Sequence, residues 1–100
     1  MILAELAYDT EGKLSAFTVK NHGESYVCAA VSMLVINTIN SIEELTSQAF
    51  VCDVNESDGF IRYVLKGYRY KGTEILLDAM LLGLRRVKEQ YPSEINLKEM

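Results

Sequence analysis

The stretch Asn21-His22-Gly23-Glu24-Ser25-Tyr26-Val27-Cys28-Ala29-Ala30-Val31-Ser32 holds the side chains best suited to covalent chemistry. His22 is the only histidine, and Cys28 is one of two cysteines, the other being Cys52. A thiol in the first turn of a helix feels the positive end of the helix dipole and nearby backbone N–H donors, both of which favour the thiolate. The same donors can stabilise an oxyanion on a carbonyl that the thiolate attacks. An imidazole can take the thiol proton and later hand it to a leaving amine. Five residues separate His22 from Cys28, so a tight loop is enough to bring the pair into contact. Ser32, one helical turn after Cys28, is a candidate for site support.

These residues also have a plainer reading. A cysteine in Val-Cys-Ala-Ala-Val is more often a small buried hydrophobe. A lone histidine at a strand end is more often an ordinary polar residue, and a helical serine more often bonds its own backbone. His-x5-Cys is no recognised zinc spacing, so a metal site of His22, Cys28, Cys52 and Asp53 is not expected, nor is any cofactor. Neither cysteine forms a C-x-x-C pair, and a reducing cytoplasm disfavours a disulfide between them.

The elements that must position the pair follow from hydrophobic periodicity. Ile2 to Tyr8 and Leu14 to Val19 read as two strands around the turn Asp9-Thr10-Glu11-Gly12-Lys13, with Leu14, Ala16 and Thr18 alternating against Ser15, Phe17 and Val19. From Val27 to about Ser47 the period becomes helical, with Val27, Val31, Leu34, Val35, Thr38, Ile42 and Leu45 on one face and Ser25 as the expected N-cap. Phe50 to Val54 and Phe60 to Tyr70 read as strands joined by Asn55-Glu56-Ser57-Asp58-Gly59. A second helix opens at Gly72-Thr73-Glu74, with Thr73 as cap, and runs to about Gln90 before Pro92 prevents its continuation. The order is ββαββα: one α+β domain over residues 1–100 in two layers, a largely antiparallel sheet with two helices on one face. In the second helix Ile75, Leu76, Ala79, Leu82 and Val87 are assigned to the sheet, leaving Leu77, Leu81 and Leu84 for a second burial partner. A homodimer interface is the expected one.

Composition bounds the function. The chain has 100 residues, 49% of them apolar and 24% charged, enough for one modest core. No window has the ~18 uninterrupted apolar residues of a membrane span, and the start, MILAELAYDTEGK, lacks the basic n-region of a signal peptide. A cytoplasmic protein with no membrane partner is expected. The net charge of −4 argues against direct nucleic-acid binding, which calls for a basic patch, and suits a cationic partner through steering. Lys66-Gly67-Tyr68-Arg69-Tyr70-Lys71 mixes base and aromatic residues, but a single such strand in an acidic protein is more often a solvated edge.

The run Val27-Cys28-Ala29-Ala30-Val31-Ser32 resembles the signature of the bacterial ribosomal-processing cysteine protease family, in which a Gly-His-Ala triplet precedes Cys-Ala-Ala-Val-Ser. The likeness extends over the opening hairpin, Thr38-Ile39-Asn40-Ser41-Ile42-Glu43-Glu44-Leu45, Leu81-Leu82-Gly83-Leu84 and Tyr91-Pro92. It implies a cytoplasmic homodimeric protease with Cys28 as nucleophile and His22 as acid/base. The implied substrate is the precursor of large-subunit ribosomal protein twenty-seven, which carries a short N-terminal extension. Two departures stand out. Asn21-His22-Gly23 replaces the Gly-His-Ala triplet. The family segment between histidine and cysteine is also longer and usually carries an aspartate just before the cysteine, where Ser25-Tyr26 stands here. The family pattern thus leads one to expect a longer chain, with a mobile gating loop between His22 and Cys28; without it, weakened or altered peptidase activity is the expectation. A reading from another class is a noncatalytic dimeric module that binds a basic ribosomal protein during ribosome assembly.

Overall fold

A computed structural model describes residues 1–99, with the backbone alone at residue 56. The opening hairpin forms as the alternation predicts, from β1 (Ile2–Tyr8) and β2 (Leu14–Lys20). Its turn is organised by Asp9, whose Oδ1 accepts the backbone N–H groups of Glu11 and Lys13. The alternation in β2 slips once. Ala7 pairs with Ala16 but Tyr8 pairs with Leu14, so Ser15 is an extra residue and the strand bulges there. The bulge resets the side-chain phase, and Leu14, Phe17 and Val19 all reach the buried face.

The first helix, α1, spans Ser25–Leu45. Ser25 is its first helical residue and not its cap; Glu24 takes the cap position, without a side-chain hydrogen bond. Val27, Val31, Val35, Thr38, Ile39 and Ile42 form the buried stripe, whereas Leu45 is exposed. By length and apolar content α1 would suffice to cross a bilayer, but its apolar stripe is occupied by the core it shares with the sheet. Strands β3 (Ala49–Asn55) and β4 (Phe60–Lys66) follow, linked by a 3-10 turn at 56–58. β4 stops at Lys66, four residues before the expected end, because buried Gln48 captures the backbone beyond it. Its amide nitrogen donates to the carbonyls of Lys66 and Tyr68, and its oxygen accepts from the Tyr70 N–H.

The second helix, α2 (Lys71–Gln90), starts earlier than expected, with Tyr70 at the cap position. Thr73 is not a cap but a fully buried residue of the first turn. Its buried stripe is Thr73, Leu77, Met80, Leu81 and Leu84, which reverses the expected rotation. Leu77 and Leu84 are 1% and 0% exposed, while Ile75 and Leu82 are 58% and 56% exposed. Thr73 and Met80 set this phase, and a count of leucines passes over both. The two helices pack on each other. Gly83 permits the approach, since a Cβ there would lie 2.6 Å from Leu34 Cδ2.

Beyond Pro92 the chain forms one more strand, β5 (Ile95–Glu99), absent from the predicted order. It pairs in parallel with β1, Ile2 opposite Ile95 and Leu6 opposite Glu99. The sheet order is β3-β4-β2-β1-β5, antiparallel except at that last pair. The α+β class and the largely antiparallel sheet therefore hold, extended to ββαββαβ.

Candidate active site

Between β2 and α1 the chain must reverse within a few residues, and the backbone at Asn21 does the turning. Its φ is +71°, in the left-handed region that glycine and asparagine enter at least cost. His22 follows, then Gly23, whose α-carbon backs onto Glu94 and Ile2. Glu94 Oε1 accepts the Glu24 N–H at 2.8 Å. The link from His22 to Cys28 is these five residues in a continuous chain; no additional gating segment lies within it.

This short path brings the predicted pair together. Cys28 Sγ lies 3.5 Å from His22 Nδ1, within hydrogen-bonding reach for sulfur. Cys28 sits in the first turn of α1, and its own N–H is already committed to the Glu24 carbonyl at 2.8 Å. The free donors are therefore the preceding ones, on Ser25, Tyr26 and Val27, which have no acceptor among the described residues. Helical side chains lean toward the N-terminus, so the thiol is carried back toward these groups. The first turn contains no acidic residue, but Glu24 holds the cap position and the Glu94 carboxylate accepts its N–H, so the positive end of the helix dipole is shared between the thiol and these carboxylates.

His22, Cys28 and Ser32 line one cleft of about 270 Å³, whose walls include Ile36, Val54 and Ile61. Ser32 is exposed, and its hydroxyl has no partner among the described residues; it does not bond its own helix backbone. The cleft thus brings a thiol, an imidazole and a hydroxyl beside an apolar wall, an arrangement suited chemically to acyl transfer.

Cys52 lies elsewhere, on β3, half-buried against the core. Burial pushes its thiol pKa up, with the charges of Asp53 and Glu43 acting in the same direction. The basic-aromatic segment is not a strand either. Arg69 is tied inward to Asp9 and the Leu14 carbonyl, and Tyr68 packs edge-on against Tyr70. Two contributors to the site escaped the sequence reading. Glu94 comes from the far end of the chain, and Gly59 reads in sequence only as part of a turn. Only the sheet order could place Gly59 beside His22.

A family model described as cysteine protease Prp matches residues 1–96. The ribosomal processing cysteine protease Prp of Staphylococcus aureus (strain Mu50) is 27% identical over 105 residues, covering 97% of each chain. The fold is shared with the crystal structure of the S. aureus ribosomal processing protease Prp carrying a covalently linked product peptide, at a TM-score of 0.94, 24% identity and full coverage of both chains. A crystal structure from Streptococcus mutans is similar at a TM-score of 0.84 and 28% identity, covering 100% of this chain and 94% of the other. With a fold shared along its whole length and a family match from residue 1 to residue 96, the chain belongs to the cysteine protease Prp family.

Proposed function

We propose that this protein is a cysteine endopeptidase that removes the N-terminal extension of large-subunit ribosomal protein twenty-seven. The observation that carries the reading is the 3.5 Å approach of Cys28 Sγ to His22 Nδ1 at the mouth of a cleft with apolar walls. Nδ1 accepts the thiol proton, and the thiolate adds to the scissile carbonyl. The first-turn N–H groups of α1 face the developing oxyanion. As the C–N bond breaks, the imidazolium returns the proton to the leaving amine. Water, deprotonated by His22, then attacks the thioester, releasing the carboxylate product and the Cys28 thiol. The Ser32 hydroxyl is available to the substrate backbone on the cleft wall.

The net charge of −4 favours approach of a basic ribosomal precursor. A cytoplasmic setting belongs to the same reading, since a reducing compartment keeps Cys28 a thiol. So does a homodimer, with the exposed pair Ile75 and Leu82, one heptad apart on α2, as the contact in place of the buried leucines. The short loop leaves little chain to close over a substrate, so turnover slower than in relatives with a longer segment is expected. Incubation with the extended precursor tests the reading: mass spectrometry should show a shortened product and free extension peptide. Binding without shortening would leave the noncatalytic module as the better account.

A further inference from the structure

His22 is exposed, and its only side-chain hydrogen bond among the described residues runs from Nδ1 to Cys28. An imidazole acting as a base is usually oriented by a third group on its other nitrogen. Here Nε2 has no such protein partner among the described residues, and what lies against that side of the ring is the α-carbon of Gly59. A Cβ built on Gly59 would sit 2.7 Å from His22 Cε1, 2.9 Å from Nε2 and 2.9 Å from the Asn21 carbonyl oxygen.

The turn that presents Gly59 is held by its own side chains. Asn55 Oδ1 accepts from the Ser57 hydroxyl at 2.8 Å, and Asn55 Nδ2 donates to Asp58 Oδ2 at 3.0 Å. Strand pairing fixes the base of the turn, with Asn55 opposite Phe60. β4 in turn pairs with β2, Ile61 opposite Val19, so the turn and the end of β2 that leads to His22 share one sheet. Gly59 itself has φ +62°, a conformation in which a side chain would be strained as well as obstructed.

We infer that Gly59 is a positioning residue for the reaction: the bare α-carbon forms the wall that seats the His22 ring with Nδ1 toward Cys28. It acts through His22, and the inference rests on the His22–Cys28 reading above. Two other glycines separate this role from backbone strain. Gly12 and Gly67 have φ values of +79° and +68°, yet a Cβ at either meets nothing within 4 Å. Alanine at those positions imposes similar strain with no effect on the ring.

The test is the rate at which iodoacetamide labels Cys28, read by peptide mapping below the melting temperature of each variant. Gly59→Ala should slow labelling about ten- to a hundredfold, the range expected for a misplaced reacting group. Gly67→Ala and Gly12→Ala should stay within about twofold of wild type, as sites remote from the pair. In a His22→Ala background, Gly59→Ala should have no further effect, because the ring it displaces is gone. Equal slowing in both backgrounds, or wild-type labelling in Gly59→Ala, overturns the inference. If Gly59→Ala does not fold, melting of the His22→Ala/Gly59→Ala protein decides. With the ring gone the Asn21 carbonyl oxygen still meets the Cβ, so the double variant should recover part of the fold that Gly59→Ala loses, read by circular dichroism; a double variant no more folded than Gly59→Ala overturns the contact. If His22→Ala alone leaves labelling unchanged, the catalytic pair fails instead, and the melting comparison still reports on the Gly59 contact.

Discussion

Glu94 Oε1 accepts the backbone N–H of Glu24 at 2.8 Å, so a residue from the last loop ties down the N-terminus of the helix that carries Cys28. The same residue's carbonyl accepts the Ile2 N–H, which joins both chain ends to the site. Glu94→Ala removes the side-chain bond and should cost about 0.5–1.5 kcal/mol of stability. Glu94→Gln keeps an acceptor in place and should cost less. Urea denaturation of the three proteins measures the order, and an unchanged midpoint in Glu94→Ala would show that the bond contributes nothing.

Cys28 should react with iodoacetamide ahead of Cys52, whose thiol is pushed toward the neutral form by burial and by neighbouring carboxylates. Cleavage of the extended precursor should be abolished in Cys28→Ala and fall about 10²–10⁴-fold in His22→Ala, the range for loss of a positioned acid/base. Cys52→Ala should leave it intact. A Cys28→Ala protein that still shortens the precursor would sink the mechanism.

Tyr63 is fully buried, sandwiched by Phe17 and Phe50 at centroid distances of 5.2 and 5.1 Å. Its hydroxyl has no hydrogen-bond partner among the described residues, and burial pushes its pKa from 10.0 up to about 12. The folded state therefore holds the phenol proton more tightly than the unfolded state. This contribution is whole below pH ~10 and is lost as pH rises from ~10 toward ~12, by roughly 3 kcal/mol. Tyr63→Phe should remove that part of the alkaline loss. At neutral pH the variant should be as stable as wild type or about 1 kcal/mol more so, because the unsatisfied hydroxyl is gone. Thermal melts at pH 7 and pH 11 compare the two proteins; an equal alkaline loss in both would assign it to other groups.

Charge placed on the exposed heptad pair of α2 tests the proposed dimer. Ile75→Glu with Leu82→Glu should shift light scattering from dimer to monomer while leaving the fold intact, since both side chains are more than half exposed. Leu77→Glu with Leu81→Glu should instead unfold the protein, because each would bury a charge in the core. A dimer that survives the first pair places the interface elsewhere.

Local signals in the chain determined the first four strands, both helices and the catalytic candidates. Alternation in Ile2–Tyr8, the helical period from Val27, the stop at Pro92 and the His22–Cys28 spacing need only neighbouring residues to express them. Tertiary structure decided what depends on partners distant in sequence. β5 is a five-residue edge strand whose hydrogen bonds exist only once β1, at the other end of the chain, lies beside it. The bulge at Ser15 and the early end of β4 were set by cross-strand pairing and by Gln48, and neither leaves a periodic trace. The rotation of α2 followed from which side chains fit between α1 and the sheet, so the leucines assigned to a partner went to the core. The site divides in the same way. The candidate pair, His22 and Cys28, was legible from residue type and spacing, and the fold brings its side chains to 3.5 Å. The apolar wall, the Glu94 anchor and the Gly59 seat came from elements up to about seventy residues away, brought together because burying a shared core fixes where each strand and turn must lie.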